Sequence, residues 1–307
     1  MRRSAARRHG LRLRGQPYCR RHATSRATSP PYTRRVNLTD IGANLTHSSF
    51  HNDLDAVLSR ASDAGVSTVV VTGTTVLESE MARDIAERCG LYATSGVHPH
   101  HARDCGPATI GELREIAKHP RVVAIGECGL DFNRNYSPHP SQEQWFIAQL
   151  ELGLELGMPL FLHSRDAHPR FAQILRHHRV KTAVAHCFTG EKEELHAYLD
   201  LGLYIGITGW ICDERRGTHL LRLVRDIPAD RLLLETDSPY LTPRDMRPQP
   251  KSRRNEPAFL AHIAKTVARA VGKPVEQLAE ETTRNAQTIF RLRESRASTG
   301  TQRAARA

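Results

Sequence analysis

The sequence predicts an α/β fold, a closed TIM-type (β/α)8 barrel, on three observations. Between residues 36 and 290, eight short apolar runs alternate with amphipathic segments. Several of the runs are continuous Val/Ile/Leu/Ala, as parallel strands covered on both faces should be. Imidazoles and carboxylates stand where the runs end, and in such a barrel strand ends converge on one rim.

The first run, 37–41, is followed by a helical repeat at Leu54, Val57, Leu58 and Ala61, with Gly65 as its stop. Runs two to five are expected at 67–72, 91–97, 122–126 and 159–162. Phe171, Ile174 and Leu175 then mark a helix. The sixth run, 181–185, leads to a helix carrying Leu195, Tyr198 and Leu199 and closed by Gly202. The seventh and eighth runs are 203–207 and 231–235. Pro257 opens a helix over Phe259, Ile263 and Val267, and a last helix covers 274–290. An open doubly wound sheet would need a glycine-rich phosphate turn after its first strand. The segment 40–45, Asp-Ile-Gly-Ala-Asn-Leu, has none, and there is no Walker sequence or internal repeat.

Charge excludes less than it first implies. The net charge is +11, but residues 1–36 hold eleven Arg and no acid. Residues 291–307 add five Arg and one Glu, which leaves 28 basic against 32 acidic residues in the body, 37–290. Basicity is a property of the tails and says nothing about a polyanion-binding face. The head, 1–35, lacks the apolar region of a secretory signal. Its composition suits a disordered tail, an organellar transit peptide, or a segment upstream of a start at Val36. The tail from 291 reads as disordered. Six scattered cysteines without a Cys-x-x-Cys pair read as reduced thiols of a cytosolic protein. No apolar run is long enough for a membrane span.

The rim positions are Asn44, Thr72, His98, Glu127, His163, His186, Thr208 and Asp237. Glu127, His163, His186 and Asp237 form a borderline-hard donor set suited to Mg²⁺, Mn²⁺ or Zn²⁺, and its lack of thiolates argues against a structural zinc. A carboxylate ending a buried strand is rarely unpaired, which favours a site role for Glu127. His163 alone would read as a satisfied core histidine, and Asp237 alone as a turn cap. His98 stands where it can touch substrate or relay a proton, whereas His100 and His101 read as solvated loop residues. Arg165 suits a phosphate clamp, with a salt bridge to Asp166 as the plainer alternative. Arg215-Arg216 and Arg253-Arg254 grip a backbone or simply carry surface charge. Cys128 and Cys187 read as packing thiols.

Several ordered stretches carry a resemblance. They are Asp40-Ile41-Gly42-Ala43-Asn44-Leu45-Thr46, Gly96-Val97-His98-Pro99-His100, Gly126-Glu127-Cys128-Gly129-Leu130-Asp131-Phe132 and His163-Ser164-Arg165-Asp166-Ala167. His186-Cys187-Phe188-Thr189-Gly190, Glu235-Thr236-Asp237-Ser238-Pro239-Tyr240-Leu241 and Arg254-Asn255-Glu256-Pro257 continue the series. Together they resemble the TatD family of metal-dependent deoxyribonucleases, from about Val36 to Phe290. The opening stretch and the segment 206–216 resemble the branch after which the family is named. The resemblance implies an amidohydrolase-like TIM barrel and a cytoplasmic, monomeric 3′–5′ exonuclease. It would act with Mg²⁺ on single-stranded DNA and RNA, in repair of oxidised DNA. Glu127, His163 and His186 match the family's metal ligands. Asp237 matches the carboxylate that completes the site, as a ligand or by orienting the attacking water. Glu127 and Asp237 are thus the expected catalytic residues, and His98, Arg165 and Asn44 the expected substrate contacts.

One departure is informative. Many relatives carry His-x-His on the first strand, where this chain has Gly42 and Asn44. One tight metal is therefore expected, with a second doubtful. The rival readings are a small-molecule amidohydrolase or lactonase on the same rim, and a non-catalytic scaffold.

Overall fold

The computed structural model describes residues 36–292. The expected basic head, and all but the first two residues of the expected tail, lie outside the described residues. Eight strands follow in chain order: β1 Leu38–Ala43, β2 Val66–Val71, β3 Tyr92–Ser95, β4 Val122–Asp131, β5 Leu160–Arg165, β6 Ala183–Ala185, β7 Tyr204–Ile207 and β8 Leu232–Leu234. Each pairs in parallel with the next. The sheet order is β1 to β8. Helices α1 Leu54–Asp63, α2 Val76–Cys89, α3 Thr109–Ala117, α4 His139–Leu156, α5 His168–His177, α6 Lys192–Asp200, α7 Leu220–Leu223, α8 Leu260–Val271 and α9 Val275–Phe290 surround it.

The ring closes just past β8. Asp237 N donates to Gly42 O (2.8 Å) and Asn44 N to Ser238 O (2.7 Å). The buried Asp40 carboxylate reinforces this seam by accepting from Thr236 N (2.9 Å) and Thr236 Oγ1 (2.6 Å). Burial pushes the Asp40 carboxyl up to about 7 against the pull of those bonds.

Inside the barrel, Ile41, Val70, Ala124, Phe161, Val184 and Leu233 pack with Ala286, Ile289 and Phe290 of α9, which floors the lower mouth. Burying each large apolar side chain contributes about 1.5–3 kcal/mol. A second, larger apolar layer fills the space between strands and helices. Phe161 spans both ends, its ring 6.5 Å from Phe290 below and 4.6 Å from His186 above.

Two local differences from the sequence expectation matter. β4 does not stop at residue 126; past a register irregularity between Gly126 and Cys128 it pairs with β5 as far as Asp131–Arg165. Glu127 and His163 thus sit within strands, and Asp131 joins the same edge. Pro257 opens a short 3₁₀ turn, Pro257–Phe259, and α8 begins only at Leu260.

Arg254 is a tether, with no freedom to grip a nucleic-acid backbone. It donates to Asp53 Oδ1 (2.8 Å) and Oδ2 (2.7 Å) and to Glu256 Oε1 (2.7 Å). Arg60 of α1 holds Glu256 from the other side at 2.7 Å. Glu256 lies below its ordinary range because these guanidiniums outweigh its burial, and Asp53 is lowered chiefly by Arg254. Depressed carboxyls contribute stability above the unfolded value of about 4 and lose it as pH falls through the folded one. Arg254→Ala should therefore lower stability by about 1–3 kcal/mol at pH 7 and by less at pH 3. Denaturant melts at the two pH values check this, and equal losses at both would contradict it.

Candidate active site

Strand ends place the functional side chains on one rim, around a cleft of about 610 Å³. At its base lies Glu127, 4% exposed. Its Oε1 is 3.0 Å from His163 Nδ1, 3.3 Å from His98 Nε2 and 3.5 Å from His186 Nε2. Burial would raise this carboxyl, but His98, His186 and then His163 hold it well below its ordinary range. Asp237 faces the same centre, its Oδ1 4.0 Å from His186 Nε2. Burial, opposed by His186 but reinforced by Glu127 and Glu235, pushes it up to about 7. The structure therefore brings Glu127, His163, His186, Asp237 and His98 together. Asn44 belongs here too, because its Nδ2 donates to Asp237 Oδ1 at 2.9 Å.

Sequence reasoning missed the residues that orient this set. Glu235, fully buried at the end of β8, holds His186 Nδ1 at 2.6 Å and Cys187 N at 2.6 Å. Donation from Nδ1–H fixes the tautomer that turns Nε2 toward Glu127 and Asp237. Against the effect of burial, Glu235 and Glu127 carry His186 up to about 10. The signal was present: Leu233, Glu235 and Asp237 share a strand parity, and Leu233 points into the barrel.

Asp131 was missed for a different reason, the longer β4. Its Oδ2 binds His100 Nε2 at 2.6 Å. His100 is thereby a cleft residue instead of the solvated loop residue expected, and His101, half-exposed and 3.8 Å from Asp104, lines the cleft as well. His100 and then His163 hold Asp131 well below its ordinary range despite burial.

Three other readings are refined. Arg165 does not pair with Asp166; its guanidinium lies 5.3 Å from the Trp210 ring centre, and that of Arg216 4.3 Å. Arg215 and Arg216 both bind Asp213. Cys128 is a buried packing thiol, but Cys187 lines the cleft, within 4.8 Å of ligand atoms of His186 and Asp237.

The donors suit a divalent cation. His163 Nε2, fully buried, has no hydrogen-bond partner among the described residues and stands 3.6 Å from Asp131 Oδ2, beyond hydrogen-bond length. His98, Glu127 and His163 offer ligand atoms mutually within 4.8 Å, as do His186, Cys187 and Asp237. An orphaned buried imidazole nitrogen in a ring of carboxylates is costly unless a cation satisfies it.

Comparison with known proteins gives the family and the fold. The family model described as TatD related DNase matches residues 39–291. The chain belongs to the TatD family. A TatD from Pantoea vagans, named a 3′-5′ ssDNA/RNA exonuclease, is 56% identical over 257 residues, covering 82% of this chain and 99% of that protein. The crystal structure of YJJV, a TatD homolog from Escherichia coli K12, superposes with a TM-score of 0.77 at 27% identity, covering 84% of this chain and 99% of that one. That of an uncharacterized amidohydrolase from Saccharomyces cerevisiae gives 0.74 at 25%, over 83% and 100%. The amidohydrolase-like TIM barrel expected from the sequence is the fold found.

Within the TatD frame, the first-strand departure has a steric cause. A Cβ at Gly42 would stand 2.6 Å from Glu235 Oε2 and 2.9 Å from Phe161 Cζ. The space a first-strand histidine would need is taken by the carboxylate that orients His186. Gly42→Ala should cost about 1–3 kcal/mol of stability and weaken metal binding through displaced Glu235. Thermal melts and metal titration check it; an unperturbed variant would show that Glu235 has room to move.

Proposed function

We propose that this chain is a divalent-metal-dependent 3′–5′ exonuclease acting on single-stranded DNA and RNA. The activity named for its curated relatives supports the reading. So does one structural observation: three imidazoles converge on Glu127 in an open cleft, with Asp237 beside them. In this reading Glu127, His163 and His186 hold the cation, with Asp237 as fourth ligand or water-orienting base. When bound, the cation supplies Lewis acidity toward a phosphodiester and lowers the pKa of water. Mg²⁺ is the proposed ion, with Mn²⁺ or Zn²⁺ as substitutes the donors also accept.

The protein's own groups do the rest. Asn44 fixes the Asp237 carboxylate, which accepts a proton from the attacking water. Arg165 neutralises charge developing on the phosphate, while His98, which burial pushes down to about 4, stands at the same place as a neutral substrate contact. Trp210, partly buried in the cleft wall beside Arg165 and Arg216, is an aromatic ring on which an unpaired base stacks once those guanidiniums turn to the phosphates, and stacking of that kind favours single strands.

Among the described residues no lysine lines the cleft, so the carbamylated lysine of a lactonase-type centre has no counterpart there. Every group invoked comes from one chain, so a monomer suffices. No helix of the described residues is long and apolar enough to cross a membrane. We place the enzyme in the cytoplasm, in DNA repair. Single-stranded oligonucleotides labelled at the 3′ or 5′ end, incubated with Mg²⁺, Mn²⁺ or chelator, test the proposal. Stepwise shortening from the 3′ end, abolished by chelator, is expected; internal cuts or inertness would refute it.

A further inference from the structure

Away from the cleft, three metal-binding side chains from separate segments meet. Cys212, 4% exposed, ends the 3₁₀ turn Gly209–Cys212 that follows β7. Asp245 sits in the segment after β8, and His262 on α8. Their ligand atoms lie within 4.8 Å of one another. His262 Nε2 is 2.6 Å from Asp245 Oδ1. None of the three lines the cleft.

We propose that Cys212, Asp245 and His262 form a separate site for a divalent ion of the Zn²⁺ class, which clips the loops after β7 and β8 to α8. One sulfur, one imidazole nitrogen and one carboxylate oxygen make a tetrahedral Zn²⁺ set with a fourth position left for water. Mg²⁺ takes oxygen ligands and would be refused by the thiolate, so this site discriminates against the ion proposed for the cleft. Bonds of about 2.3 Å to sulfur and 2.0 Å to nitrogen and oxygen space the ligands about 3.3–3.6 Å apart. The three side chains reach that spacing by small rotations that open the His262–Asp245 hydrogen bond. Binding displaces the Cys212 thiol proton to solvent. Arg269, which donates to Thr266 Oγ1 at 3.3 Å, brings an opposing positive charge. The thiolate and the Asp245 carboxylate together outweigh it.

The place of the cluster gives the ion work to do. Arg244 already bridges the two loops through Glu214 (3.1 Å) and Asp213 (3.6 Å). A Cβ on Gly209 would meet Leu241 O, so the loops are in close contact. Trp210, two residues before Cys212, and Tyr240 and Leu241, a few residues before Asp245, line the cleft. An ion at this point fixes the wall against which a substrate strand would lie.

The test uses the full chain, stripped with chelator and titrated with Co²⁺, whose bond to a thiolate gives a near-ultraviolet charge-transfer band. Wild type and Cys187→Ser should show the band, and Cys212→Ser should lose it. A band that is absent from wild type, or that survives Cys212→Ser and vanishes in Cys187→Ser, overturns the proposal by assigning the thiolate to the cleft. Asp245 is exposed, so Asp245→Asn keeps the fold intact for a second readout. Zn²⁺ should raise the Tm of wild type and of Glu127→Ala. The rise should shrink in Asp245→Asn and His262→Ala, with Zn²⁺ affinity about tenfold weaker or more. An equal rise in all four proteins refutes the site.

Discussion

Replacing Glu127 by glutamine should lower oligonucleotide hydrolysis by about a hundredfold or more and weaken divalent-metal binding in parallel. Glu127 Oε1 is the atom on which His163, His98 and His186 converge, at 3.0, 3.3 and 3.5 Å. The amide keeps the shape but removes the negative charge and turns one acceptor into a donor. An NH₂ aimed at three imidazole nitrogens leaves the cation site without its anionic partner. Single-turnover hydrolysis and calorimetric titration with Mn²⁺ measure the two effects. Wild-type rates together with wild-type affinity in Glu127→Gln would remove Glu127 from the centre.

Asp237→Asn should act differently. Turnover is expected to fall by about 10²–10⁴ while KM shifts by about threefold or less, because the residue is assigned to proton transfer and not to substrate grip. Asn44 donates to the Asp237 carboxylate at 2.9 Å, and the backbone of Asp237 is pinned by Gly42 O at 2.8 Å. The residue also sits at a φ of +52°, a conformation asparagine tolerates, so the variant should fold. A loss carried entirely by KM would recast Asp237 as a substrate contact.

The proposed ligand positions stand out in the sequence because burial is written into it. A carboxylate or imidazole that interrupts a Val/Ile/Leu run must either pair or bind something, and Glu127, His163 and His186 each interrupt such a run. The partners were less legible. His100 read as a loop residue because nothing near it in sequence explains it; its partner, Asp131, lies 31 residues on. Glu235 is 49 residues from the His186 it orients. Arg254 read as a candidate for backbone contact until Asp53, 201 residues away, was seen to hold it.

Sequence alone determined the number and order of the strands, the parallel barrel, and the chemical character of its catalytic rim. Hydrophobic periodicity and strand-end polarity are local properties, carried by neighbours in the chain. Only the tertiary structure decided which imidazole each carboxylate orients, why position 42 must remain glycine, and that Cys212, Asp245 and His262 meet. Those outcomes depend on closure of the ring between β8 and β1, which brings distant strand ends within hydrogen-bonding reach. No local pattern encodes the distances that closure sets.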